Sequence, residues 1–103
     1  MRVISWNVQR LKGGAGRVAN ACLACSADFI ALQEYLPGPR AIEFDSVLKQ
    51  GGYSHRLPPK LDAGAAGSIH NIVYSRTAIR AEPSPKLLPE NTPYWIETSW
   101  REI

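Results

Sequence analysis

The chain has 103 residues, 45% hydrophobic and 20% charged, with a formal net charge of +3. That length fits one domain with a core just large enough to close without disulfides or metals. The composition excludes a disordered or fibrous chain, and no apolar run approaches the roughly 20 residues needed to span a bilayer, so no membrane partner is expected. Arg2, Arg10, Lys12 and Arg17 all precede the first acid, Asp28. A locally basic N-terminal quarter favours polyanions, phosphates above all; ordinary solvated surface charge is the competing reading.

Residues 1–7 alternate and include polar groups, without the apolar stretch and cleavage site of a secretory signal, so a cytoplasmic location is the expectation. Residues 3–8 contain β-branched and aromatic residues without helical spacing and lead into Gly13-Gly14-Ala15-Gly16, which predicts a strand and then a loop. From Arg17 onward Val18, Cys22, Cys25 and Phe29 recur at helical spacing with Ala19, Ala21 and Ala24 between them, which predicts a helix over 17–26. The nearly continuous apolar run 28–33 predicts a strand buried on both faces, completing a βαβ unit. Pro37-Gly38-Pro39 breaks the chain, and 40–50 reads as a second helix with Phe44, Val47 and Leu48 inward, stopped by Gly51-Gly52. Strands are expected over 53–57, 68–74, 78–81 and 94–100. A surface loop at 58–67, a turn at Ser75-Arg76-Thr77 and a proline-punctuated stretch before 94 separate them. Trp100 and Ile103 close the sequence with no turn or cap after them. An element cut short, with an open edge and an uncovered apolar face, is the expectation there.

In a βαβ unit the two strands are parallel, so Asn7, ending the first, and Glu34, ending the second, should meet at one rim of the sheet. A carboxylate beside a carboxamide suits a hard cation such as magnesium, which takes one or two carboxylates and fills its shell with water and phosphate. The alternative is an asparagine and a glutamate that merely close strands. Arg10 and Lys12, directly after Asn7, could contact phosphate or serve only as surface charge. Cys22-Leu23-Ala24-Cys25 has no second Cys/His pair to complete a tetrahedral zinc site, and both sulfurs are expected on the buried face of the first helix. Thiol redox chemistry would require reactive cysteines. His55 and His70 are the only histidines that could act as a base, and a partly buried polar role is the commoner fate of either. Trp6, Trp95 and Trp100 fall in expected strands, where core packing is favoured over base stacking.

Arg2-Val3-Ile4-Ser5-Trp6-Asn7-Val8, followed by Ala27-Asp28-Phe29-Ile30-Ala31-Leu32-Gln33-Glu34, resembles the two opening motifs of the endonuclease/exonuclease/phosphatase superfamily, the DNase I-like and exonuclease III-like enzymes. Asn71-Ile72-Val73-Tyr74-Ser75-Arg76 resembles that family's central strand more weakly, with His70 and Asn71 standing where many members have glycine and another small residue. The resemblance covers nearly all of the chain but only the N-terminal half of the family's domain. It implies an α/β fold, half of a four-layered α/β/β/α sandwich, with a mixed sheet carrying two helices on one face. Residues 1–103 would form one incomplete domain.

The resemblance further implies that Glu34 is a metal ligand, Mg2+ or alternatively Mn2+, and that Asn7 lines the metal and phosphate site, with Arg10 and Lys12 near the substrate phosphate. The family's later motifs, an Asp-x-Asn and a terminal Ser/Thr-Asp-His, have no counterpart in the sequence. Those residues orient the attacking water and act as base in related enzymes. The expectation is therefore a magnesium-dependent phosphoesterase, a nuclease or phosphatase, weak or inactive by itself. The alternative is a non-catalytic remnant or assembly module. Expected partners are a phosphate-containing substrate, DNA among the candidates, and either a second copy in a homodimer or a complementary C-terminal half.

Overall fold

The computed structural model describes residues 1–59, 69–82 and 99–102, with backbone alone at 80–82 and 99–102. The elements in chain order are β1 (Val3–Asn7), a short 3-10 turn (Gln9–Leu11), α1 (Ala15–Ala24), β2 (Phe29–Tyr35), α2 (Pro39–Gln50), β3 (His55–Leu57), β4 (His70–Ser75), β5 (Ile79–Glu82) and β6 (Ser99–Glu102). The first four strands make a mixed sheet ordered β1-β2-β4-β3. β1 runs parallel to β2, and β4 runs antiparallel to both β2 and β3. β5 and β6 pair antiparallel as a separate two-stranded sheet. Of the strand expected over 94–100, residues 94–98 lie outside the described residues, as does the loop at 60–67.

Both helices bury one stripe against the same face of the large sheet. α1 contributes Ala15, Val18, Ala19 and Cys22, α2 contributes Ala41, Phe44 and Leu48, and the sheet answers with Ile30, Leu32, Tyr35, Ile72 and Tyr74. The spacing within each helix is the 3.6-residue period of an amphipathic segment. α1 starts two residues before the expected Arg17 because Gly14, at φ +98°, turns the chain into the helix and its carbonyl accepts from the Val18 N–H. It stops at Ala24 because Ser26 takes a left-handed φ of +49°. α2 begins with Pro39 in its first turn, where the missing N–H costs nothing.

Two expectations about side chains do not hold. Cys25 is exposed, because the helix ends before its position can return to the buried stripe, whereas Cys22 is buried. Trp6 remains 38% exposed on β1, the edge strand of the sheet among the described residues, rather than entering the core.

The face of the sheet away from the helices carries a smaller apolar cluster, Phe29, Val73 and Ile79, with Ala31 and Leu57 against it. A polar knot fastens α2 to the sheet: the Tyr74 hydroxyl donates to Asp45 Oδ1 at 2.8 Å, and Lys49 and Arg56 approach the same carboxylate at 2.9 and 3.6 Å. Burial pushes the Tyr74 hydroxyl well above the ordinary tyrosine range, with Tyr35 and the Asp45 charge adding to it.

Candidate functional site

β1 delivers Asn7 to its last position, where it is the register partner of Gln33 on β2, and the following Val8 N–H donates to the Gln33 carbonyl at 2.9 Å. Asn7 Oδ1 accepts the Gln9 N–H at 3.0 Å. That bond fixes the amide's orientation, with its oxygen turned to the backbone and its Nδ2 donors outward. Directly after it Gln9, Arg10 and Leu11 all have positive φ, +48°, +59° and +61°. Left-handed backbone costs a non-glycine residue about 1–2 kcal/mol. The turn is nonetheless held by fully buried Leu11 and by the Leu11 N–H to Val8 carbonyl bond at 2.8 Å. It presents Arg10 and Lys12, both exposed, at the same corner as Asn7.

Glu34 reaches this corner by a β-bulge. Leu32 faces Ile72 and Tyr35 faces His70 on β4, so β2 has one residue more than its partner between those pairs. Simple alternation would send Glu34 to the helix side with Ile30 and Leu32. Instead Tyr35 takes the helix side, in the core cluster with Ile30 and Leu32, and Gln33 and Glu34 both face away from the helices. The extra residue is accommodated by a left-handed Glu34, φ +56°, the way a bulge re-aims a side chain. Asn7 and Glu34 thus share the helix-free face at adjacent strand ends, on strands about 4.8 Å apart. Gln33 sits between them, its Nε2 donating to Ser5 Oγ at 2.9 Å and tying β1 to β2.

The remaining candidates lie elsewhere. His55 pairs with Ser75 and Ser75 with Phe29, the opposite end of the sheet from Glu34. His70 is at the right end but pairs with Tyr35, on the helix-bearing face. Arg2, the first of the four early basic residues, is engaged far from Asn7: its backbone N–H donates to Asp28 and its guanidinium to the Cys25 carbonyl. Arg10 and Lys12 of that group directly follow Asn7 in the turn and are exposed. Cys22 is buried in the core and burial pushes its thiol up to about 11, which is the opposite of a reactive thiol. Trp95 lies outside the described residues.

Sequence reasoning missed the bulge, and with it the places of Gln33 and Asn71 beside Glu34. A signal was present. The helix-side residues of β2 run Ile30, Leu32, Tyr35, and the slip from a step of two to a step of three marks an inserted residue.

Among the described residues no three His, Cys, Asp or Glu side chains converge as a metal cluster. Among the described residues the donors placed at the Asn7 corner are one carboxylate and carboxamides, an all-oxygen set with no imidazole or thiolate at that end of the face. Such donors match a hard cation that keeps most of its water, and do not match zinc or copper. No helix among the described residues is long and apolar enough to cross a membrane.

No protein-family model and no curated protein matches the chain. Among solved structures it is similar to an endonuclease/exonuclease/phosphatase from Beutenbergia cavernae, with a TM-score of 0.58 and 24% identity, over 82% of this chain and 29% of that one. The chain therefore spans about three tenths of the structure it matches, which fits an N-terminal part of such a domain. With its mixed four-stranded sheet and two helices on one face, this protein has the partial α/β fold of an endonuclease/exonuclease/phosphatase domain.

Proposed function

We propose that the Asn7–Glu34 corner binds a divalent cation, magnesium or manganese, together with a phosphoester. On this reading the chain is the cation- and phosphate-holding part of a magnesium-dependent phosphoesterase of the nuclease or phosphatase kind. The observation that carries this reading is the bulge, which turns Glu34 onto the face of Asn7 at neighbouring strand ends. Glu34 would hold the cation. Asn7, its Oδ1 already engaged by Gln9, would donate from Nδ2 to a phosphate oxygen, with Arg10 and Lys12 adding positive charge at the rim. A bound cation would withdraw charge from the phosphoryl group and fix its orientation.

Hydrolysis also needs a group to ready the attacking water. His55 lies at the opposite end of the sheet and His70 on its helix-bearing face, and the sequence holds no Asp-x-Asn or Ser/Thr-Asp-His. Turnover by this chain alone should therefore be weak or absent. A second reading, a non-catalytic assembly module of the same fold, is favoured by the lack of any three-residue metal cluster among the described residues. Val3, Ser5 and Asn7 leave the β1 end of the helix-free sheet face exposed, which supports pairing with a second copy or with a complementary C-terminal piece. Light scattering after size-exclusion chromatography tests this, and a stable monomer at micromolar concentration counts against self-pairing.

The deciding experiment is Mn2+ binding by electron paramagnetic resonance, beside a magnesium-dependent assay on plasmid DNA and a generic phosphodiester, for the wild type and Glu34→Ala. Cation binding and turnover that both vanish in Glu34→Ala support the enzyme reading. Cation binding without turnover favours the module. A wild type that binds no cation removes both the site and the magnesium dependence.

A further inference from the structure

The register around the bulge sets one more side chain against Glu34 than the motifs single out. Between the pairs Leu32–Ile72 and Tyr35–His70, Gln33 and Glu34 together stand opposite one residue of β4, Asn71. On β4, Ile72 and Tyr74 belong to the helix-side core and Val73 to the cluster on the other face. Alternation therefore places Asn71 on the helix-free face with Gln33 and Glu34. Asn7 approaches the bulge from β1 and Asn71 from β4, each one strand spacing away, about 4.8 Å.

Asn71 is half-buried, and among the described residues no side-chain hydrogen bond takes up its amide. Gln33, by contrast, is occupied with Ser5. Among the described residues no buried side-chain nitrogen or oxygen lacks a partner, so the Asn71 amide reaches solvent and its donors are open to an acceptor that arrives.

We propose that Asn71 is a substrate-contacting residue of this corner. Its Nδ2 donates to a phosphoester oxygen on the side of Glu34 away from β1, so that two carboxamides bracket the phosphate while Glu34 holds the cation. This rests on the cation-and-phosphate reading above. A neutral amide contributes a directional donor without adding charge, so it governs how the phosphate is seated more than how strongly the cation is held.

The test uses the whole chain, Mn2+ as the cation probe and inorganic phosphate as the anion probe, titrated at saturating Mn2+. Amide NMR spectra report the fold of each variant. Asn71→Ala should weaken phosphate binding about tenfold or more, the loss of one hydrogen bond to a charged group, and leave Mn2+ affinity within about twofold. Glu34→Gln should lose Mn2+. Phosphate binding unchanged in Asn71→Ala, with Glu34→Gln still losing Mn2+, overturns the Asn71 assignment and leaves the cation reading standing. Equal losses of Mn2+ and phosphate in a folded Asn71→Ala also overturn it, since Asn71 would then act only by supporting Glu34. A wild type that binds Mn2+ but no phosphate overturns it as well, and one that binds no Mn2+ sinks the cation reading and this assignment together. Should Asn71→Ala not fold, the near-isosteric Asn71→Asp decides. A second carboxylate beside Glu34 must tighten Mn2+ and repel phosphate, and unchanged phosphate binding rejects the proposal.

Discussion

Glu34 shares a face with Asn7 only because its own backbone is left-handed, at φ +56°, where the strand carries one residue more than its neighbour. A glutamate pays for that conformation in stability, since its Cβ crowds the following carbonyl.

Replacing Glu34 by glycine should therefore stabilise the fold by about 1 kcal/mol while removing the carboxylate. Glu34→Val should instead destabilise it, because a β-branched side chain is least tolerant of positive φ. Urea unfolding midpoints for the two variants should move in opposite directions. A Glu34→Gly chain no more stable than wild type would contradict the strain account.

The connection from α2 to β3 offers a separate test. A Cβ on Gly51 would run into Leu23 Cδ2, and Gly52 has φ +101° with the Arg76 guanidinium 2.7 Å from its would-be Cβ. Arg76 donates to the Gly51 carbonyl at 3.1 Å and stacks over Tyr53 at 4.3 Å. Gly52→Ala should cost about 1–3 kcal/mol from backbone strain alone. Gly51→Ala meets the end of the half-buried Leu23 side chain, which can turn aside, so it should cost less than Gly52→Ala, measurable as a smaller drop in melting temperature.

Tyr74 and Asp45 make up the third test. Tyr74→Phe removes one donor from a carboxylate that keeps Lys49 and Arg56, so the loss should be about 1 kcal/mol. Asp45→Ala orphans the buried Tyr74 hydroxyl and unpairs half-buried Arg56, and should cost about 2–3 kcal/mol. Equal effects in denaturant melts would show that Asp45 contributes through the Tyr74 hydroxyl alone, with nothing added by Lys49 and Arg56.

Cys22 and Cys25 should separate by reactivity. At pH 8 iodoacetamide should modify exposed Cys25 in the native chain and reach Cys22 only after unfolding, as mass spectrometry of digested peptides would show. The Cys22 thiol, raised from 9.0 to about 11 by burial and then by Cys25, holds its proton more tightly folded than unfolded. Its contribution to stability is complete below pH 9 and is lost as pH rises toward 11. A native chain that labels at both cysteines with equal rates at pH 8 contradicts this.

Most of the fold was legible because its elements are local. The βαβ unit followed from the β-branched and aromatic residues within 3–8, the helical recurrence of Val18 and Cys22, and the nearly continuous apolar run at 28–33, each a pattern that one stretch of chain settles. What escaped depended on neighbours. Cys25 lies outside because α1 ends a residue before it, and Trp6 is exposed on a strand that is at the sheet's edge among the described residues, neither of which its own spacing reveals. The adjacency of the strand ends that carry Asn7 and Glu34 was legible, but the side of the sheet was not. Strict alternation gives the wrong face, and only the register against β4 corrects it. Asn71 became visible as a neighbour for the same reason, since an antiparallel pairing between residues nearly 40 apart leaves no trace in either segment alone.

The two donors at this corner are unequally mounted. Glu34 belongs to an inner strand hydrogen-bonded on both sides, whereas Asn7 ends a strand bonded on one side among the described residues and leads into a turn of three left-handed residues. A ligand that spans both would act as a rivet between a firm anchorage and the part of the sheet most prone to fray. Occupancy should then be read most clearly as slowed amide hydrogen exchange at Val8, Leu11 and Lys12, with little change along the interior of β4.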